Sequence, residues 1–201
     1  MKNSILALFT LLLFSQSSVA QRLEVNDVDP KTGSKTFITS NHVGADVMWD
    51  DTVTRNGMLF FSAGYTSDNK NNTLVETYFI DLSIIHNDAR LGCLMHDTGK
   101  IIITFTDGTT AECMQVSDNS CDKLAFNAGY ALMPRGDYIA KMQQTFDNLL
   151  VKDIKSIEVF TSETSVKYPI KTQKMDYIKA HFALLDKRIK QSKPAQAAAS
   201  N

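Results

Sequence analysis

Residues 101–121 read IIITFTDGTTAECMQVSDNSC. Two runs rich in apolar and β-branched residues flank Asp107-Gly108. An Asp-Gly pair in that position marks a hairpin, because its glycine accepts the positive φ of a tight turn. With a two-residue turn at the pair, Thr104 faces Ala111 and Ile102 faces Cys113 on one side of the ladder. The other side pairs Phe105 with Thr110, Ile103 with Glu112 and Ile101 with Met114. Ile101, Ile103, Phe105 and Met114 form the core set, which leaves Glu112 on their face. Either a bulge after Ala111 shifts the parity, or the Glu112 carboxylate reaches an edge or a pocket. Asp107 itself turns the chain.

Similar pieces fill the chain between Arg22 and Met133. Asp29-Pro30-Lys31-Thr32-Gly33 has the composition of a turn, with proline presetting one torsion and glycine allowing a positive one. Asn56-Gly57 joins VMWDDTVTR to MLFFSAGY, and residues 67–72, SDNKNN, read as a polar loop. Asp97-Thr98-Gly99 closes a further hairpin between LGCLM and KIIITF. In LAFNAGYALM, Phe126, Ala128, Tyr130 and Leu132 share one face. These features predict an antiparallel meander of about eight or more strands.

The period changes after Pro134. Asp137 fits an N-cap, and Ile139, Met142, Phe146 and Leu149 recur at helical spacing. SIEVFTS, residues 156–162, returns to strand spacing. Thr172 then caps a last helix with its stripe at Met175, Ile178, Phe182, Leu185 and Ile189. The class is α+β, a large antiparallel sheet with two helices in the C-terminal third. Residues 21–191 form a single domain and residues 192–201 a disordered tail. The element order also resembles lipocalin-like barrels, although Gly44 and Trp49 stand too far apart for that family's Gly-x-Trp. That resemblance implies the alternative, a β-barrel plus helix that carries a small apolar ligand.

Residues 1–20 have the pattern of a signal peptide: Lys2, a ten-residue apolar run from Ile5 to Phe14, and Ser18-Val19-Ala20 before a cut at Gln21. The run is shorter than the ~20 residues of a membrane span, so the mature chain is expected to have none and to be exported, periplasmic or extracellular. The formal charge of the whole chain is −1, which argues against nucleic acid. Residues 141–201 carry 11 basic and 6 acidic side chains. This excess suits either an anionic surface or the solvated faces of two helices.

No spacing in the sequence assembles a catalytic, cofactor or metal site. Asp97-Thr98-Gly99 matches the aspartic-protease triplet, but His96 and Lys100 flank it where that family has other residue types, so it reads as a turn. His42, His86, His96 and His181 form no His-Glu-x-x-His. His86, Asp88, His96 and Asp97 suit zinc only if two loops meet at one end of the sheet. His181, off the Met175 stripe, reads as a solvated helix residue. Trp49, Tyr65, Tyr78 and Tyr130 read as core rather than pocket. Asn71-Asn72-Thr73 fits a glycosylation sequon.

Three cysteines allow one intramolecular bond. If Thr98-Gly99 turns a hairpin, Cys93 pairs with Thr104 and lies two strands, roughly 9–10 Å, from Cys113, too far to bond. Cys113 and Cys121 are therefore expected to pair across a short loop, with Cys93 as a free core thiol. The alternative is three buried, reduced thiols.

IIITFTDGTTAEC, GYALMPRGDYIAKM and VKDIKSIEVFTSE, in that order across residues 91–190, resemble a pattern frequent among small exported proteins of Bacteroidetes. The resemblance implies an envelope location and supplies no catalytic residue. The expectation is a non-catalytic envelope or extracellular module whose partner is an unknown protein or polysaccharide. A hydrolase is a distant alternative.

Overall fold

The computed structural model describes residues 22–40, 58–70, 73–86, 89–122, 124–136, 139–172 and 175–193. The signal-peptide reading, the Asn56-Gly57 turn, His42, Trp49, Asp88, Asn71, Asn72, Asp137 and residues 194–201 lie outside them. Among the described residues there are nine strands: β1 (Leu23–Val28), β2 (Lys35–Thr39), β3 (Met58–Lys70), β4 (Thr73–Ile85), β5 (Lys100–Phe105), β6 (Thr110–Gln115), β7 (Ala125–Ala131), β8 (Ile154–Phe160) and β9 (Ser165–Pro169). Two helices, α1 (Ile139–Val151) and α2 (Tyr177–Ser192), complete the α+β domain.

The strands form one antiparallel half-barrel in the order β1-β2-β3-β4-β7-β6-β5-β8-β9. It departs from a plain meander at two connections. After β4 the chain passes over two positions before β5, and β5-β6-β7 run back until β7 pairs with β4, as in a Greek key. After α1 the chain crosses to the far side of β5, where β8 and then the edge strand β9 add. With β1 and β9 as edges, the sheet is a half-barrel rather than the closed barrel of the lipocalin-like alternative.

Turn chemistry sets the registers. Asp29 accepts from the Lys31 amide at 2.7 Å, and Gly33 turns with φ 73° into β2. The β3–β4 ladder continues to Lys70 opposite Thr73, so residues 67–70 extend a strand instead of forming the expected loop. At the β5–β6 hairpin, Phe105 and Thr109 close the ladder and Gly108 sits at φ 84°, which makes the loop three residues, Thr106 to Gly108. The extra residue slips the register by one and exchanges the faces of β6. Ile101 pairs with Cys113, Ile103 with Ala111 and Ile102 with Glu112. Ala111 and Cys113 are therefore buried, while Met114 is only half-buried on the outer face.

The concave face holds the core. Phe37 stacks on Tyr65 (5.8 Å), Tyr65 meets Tyr78 (5.2 Å), Tyr78 meets Phe146 (4.3 Å) and Phe146 meets Phe182 edge-on (5.8 Å). This chain of rings crosses from β2 through β4 to both helices. Met142, Phe146 and Leu149 of α1, with Ile178, Phe182, Leu185 and Ile189 of α2, are buried at the spacing the sequence sets. The start of α2 differs from expectation. Its N-cap is Asp176 without a side-chain hydrogen bond, and Thr172 lies exposed ahead of the first turn.

Candidate ligand groove

The longest ladder in the sheet, β3 with β4, and its neighbour β2 carry a groove on their outer face. Phe37, Tyr65 and Tyr78 point inward, so the alternation of a strand sends the residues beside them outward. Thr36, Thr66 and Thr77 stand opposite one another across three strands. The next outward row is Ser34, Asp68 and Val75, with Asp68 registered on Val75 and the Ser34 hydroxyl donating to Asp68 Oδ1 at 2.8 Å. These two rows line a groove of ≈ 360 Å³. Strands ~4.8 Å apart and rows ~7 Å apart give a nearly square floor of hydroxyls about two strand spacings wide.

The β1–β2 turn holds one wall. The Ser34 hydroxyl lies 2.9 Å from that of Thr32, which in turn lies 2.9 Å from Asp29 Oδ2. Amide and hydroxyl donors from Lys31 and Thr32 keep the Asp29 carboxyl below its ordinary range. Lys35 also borders the groove, but its ammonium donates to the Ser192 carbonyl at 2.9 Å, at the end of α2. On the inner side of the same strands, the Tyr65 hydroxyl donates to Glu76 at 2.6 Å. Burial, with the carboxylates Glu76, Asp186 and Asp147 nearby, pushes the Tyr78 phenol up to about 12.

The residues singled out in the sequence do not converge on this groove. With the slipped register, Glu112 leaves the core face and pairs with Lys100 at 2.8 Å, an ion pair at the surface. Asp107 accepts from the Thr109 hydroxyl at 2.6 Å and pairs with Lys152 at 2.9 Å, and these contacts hold its carboxyl at about 2. Asp97, Thr98 and Gly99 form a turn, with both the Thr98 and Gly99 amides directed at the Met95 carbonyl. His86 is buried against Phe126 at 4.1 Å, whereas His96 is exposed with Nδ1 2.9 Å from the Ser117 carbonyl. Among the described residues no group of three or more His, Cys, Asp or Glu side chains is placed to hold a metal ion. Tyr65, Tyr78 and Tyr130 are core residues.

His181 corrects the sequence reading: it is 1% exposed rather than solvated. Three residues after Ile178 and four before Leu185, it shares their helical face, so its place off the Met175 stripe did not put it in solvent. Its Nδ1 lies 2.8 Å from Thr39 Oγ1, and that oxygen also accepts from the Ala63 amide at 2.9 Å. Phe61 and Tyr177 sit at 4.8 Å on the ring. Burial depresses the His181 pKa from 6.5 to about 4. The unfolded chain takes up the proton near pH 6.5 and the folded chain only near 4, so this contribution is whole above pH 6.5. It is lost as pH falls towards 4, by about 3 kcal/mol. Urea unfolding of the parent and His181→Gln at pH 7 and pH 4 checks this. The parent should lose about 3 kcal/mol more than the variant, and equal losses would refute it.

The cysteine pairing also corrects the expectation. Cys121 lies at disulfide distance from Cys93, with Cα atoms 4.4 Å apart, and Cys113 is the buried free thiol. The expected separation assumed that Cys93 belongs to a strand beside β5. Instead Leu94 forms a two-way bridge with Ser120, which brings Cys93 beside Cys121. The slipped register turns Cys113 into the core, where burial pushes its thiol pKa up and keeps it protonated.

Some of the basic side chains near the C-terminus are engaged within the fold. Lys179 pairs with Asp153, Lys190 with Asp186, and Arg188 reaches Asn26 and the Phe37 ring. The groove residues themselves were not singled out in the sequence. Each is an ordinary polar strand residue, and only the cross-strand register aligns Thr36, Thr66 and Thr77. Comparison with known proteins finds no matching family model, no match among curated proteins and none among solved structures.

Proposed function

We propose that this chain is an exported, non-catalytic binding module of the envelope or the extracellular space, which meets a protein or a polysaccharide through the outer groove on β2, β3 and β4. The groove carries the reading. Its floor is polar and open, and it lies on the most extensively paired strands of the sheet. Such a surface is held in its bound shape before a ligand arrives, which lowers the ordering cost of association. Export is supported by the Cys93–Cys121 pair, which suits an oxidising compartment, and by the apolar run from Ile5 to Phe14 after Lys2. No helix among the described residues is long and apolar enough to cross a membrane.

The rival apolar carrier needs space on the concave face. There Phe146, Phe182 and Leu185 are packed to 2% exposure or less, so that reading has little support. The test uses labelled protein and envelopes of its source cell. Saturable binding that disappears in Thr66→Arg, whose side chain fills the groove, supports the module. Binding unchanged by Thr66→Arg, with the fold confirmed by circular dichroism, would overturn it.

A further inference from the structure

We infer that the partner of this module is a protein, which sets an arginine side chain on the Asp81 carboxylate, farther along the outer face of β4 from the groove. The inference rests on the binding-module reading and adds the chemistry of the partner.

Ile80 and Leu82 are fully buried on the concave side, so the alternation of β4 sends Thr77, Phe79, Asp81 and Ser83 outward in one line. Thr77 lines the groove, and Asp81 follows it by four residues, ~13 Å along an extended strand. Ser62 of β3 and Gly129 of β7 stand opposite Asp81 on either side. The Asp81 side chain reaches solvent, yet among the described residues it has no hydrogen-bond donor and no ion pair. Desolvation by its neighbours raises its carboxyl above the ordinary range, with nothing to oppose the shift. Other carboxylates of the outer face are engaged: Glu112 pairs with Lys100, and Asp68 accepts from Ser34.

The surface around Asp81 is apolar and shaped. Gly64 has no side chain, and the Phe79 ring lies across it, so that a Cβ there would stand 2.1 Å from the ring carbon Cζ. At Gly129 a Cβ would meet Val116 Cγ2 at 3.9 Å and Asp81 Oδ1 at 4.0 Å. The bare glycine therefore leaves a shallow trough between the carboxylate and Val116, which is 42% exposed. An arginine suits such a place. Its guanidinium donates to a carboxylate in a fork, is weakly hydrated and stacks on aromatic rings. Its methylenes cover apolar surface.

Other occupants fit less well. A neutral partner would strip water from the carboxylate without giving it a counter-charge, and an acidic one would add repulsion. Polysaccharides of neutral or acidic sugars bring no cation to Asp81. A metal ion needs more ligands than one carboxylate, and no metal-holding group occurs among the described residues. A second copy of the chain would set convex face on convex face. Half-barrels placed so touch over too small an area for the ~800 Å² per partner of a stable interface.

The isotope-labelled mature chain, titrated with a blocked pentapeptide that has arginine at its centre, tests the inference. The same peptide with glutamine or glutamate there is the comparison. Saturable amide shifts on residues 62–64, 79–83 and 129–131 are expected for the arginine peptide alone. Asp81→Asn should weaken that binding roughly tenfold and melt no lower than the parent, because the carboxylate holds nothing in the fold. Asp81→Lys should transfer the preference to the glutamate peptide. Equal binding of the arginine and glutamine peptides would overturn the inference. So would shifts centred elsewhere, no shifts, or an Asp81→Asn variant that binds as the parent does. Envelopes of the source cell separate the two readings. Proteinase treatment of the envelopes should remove the binding, and Asp81→Lys should lose it. If treated and untreated envelopes bind alike in a Thr66-dependent way, the protein partner falls and the module reading survives. Envelope binding that ignores both Thr66→Arg and Asp81→Lys would sink both.

Discussion

Phe182→Asp should leave the protein largely unfolded at room temperature, with a loss of at least about 5 kcal/mol. Phe182 is fully buried at the centre of the α2 stripe and meets the Phe146 ring edge-on at 5.8 Å. Removing the ring alone is worth ~3–5 kcal/mol in a well-packed core. The aspartate must in addition lose its water or stay protonated, and either course costs more. A domain of this size has about 5–15 kcal/mol in all. The neighbouring residue supplies the control. Ala183 is exposed on the same helix, so Ala183→Asp should cost only the helix-propensity difference, about 0.5 kcal/mol. Thermal unfolding of the pair decides the matter. Similar melting temperatures for Phe182→Asp and the parent would mean that α2 does not hold the concave face.

The same helix marks how much a single sequence reveals. Ile178, Phe182, Leu185 and Ile189 are legible because apolar residues at helical spacing have few other uses. His181 occupies the same face and was missed, because hydrophobic periodicity assigns a polar residue to solvent and says nothing of Thr39, which comes from a distant strand. The hairpin at residues 101–115 shows a second limit. Both strands and the turn were legible, but the register depended on a two-residue or a three-residue loop around Gly108, and Asp-Gly serves either. The awkward position of Glu112 was the one local sign of the slip, and its pairing with Lys100 resolves it. Long-range order was less legible still. No local rule indicates that β7 returns to pair with β4, because that choice is made by the fit of Phe126, Ala128 and Tyr130 beside Ile84, Leu82 and Ile80. The groove depends on such registers across three strands, so it had no signature in the sequence.

Cys121→Ser should lower the stability of the oxidised protein by about 3–4 kcal/mol, the chain-entropy value for a loop of this length. The bond joins residues 28 apart in sequence. It ties the long connection that precedes β5 to the segment between β6 and β7, the two pieces that place β7 beside β4. Other contacts already order the junction. Leu94 and Ser120 exchange two backbone hydrogen bonds, the Cys93 amide donates to Ser162 Oγ at 3.0 Å, and the Ser162 amide donates to the Cys93 carbonyl at 2.8 Å. The Arg135 guanidinium adds a bond to the His96 carbonyl. The variant should therefore keep its fold and lose stability mainly through a freer unfolded chain. Adding reductant to the parent should reproduce the loss, and reductant should leave Cys121→Ser unchanged. Thiol titration of the oxidised parent in denaturant should find one reactive group, mapped by peptide analysis to Cys113. A free thiol at Cys93 would restore the Cys113–Cys121 pairing and with it the unslipped register. Three free thiols would mean that the chain is kept in a reducing compartment, which would remove the disulfide as support for export.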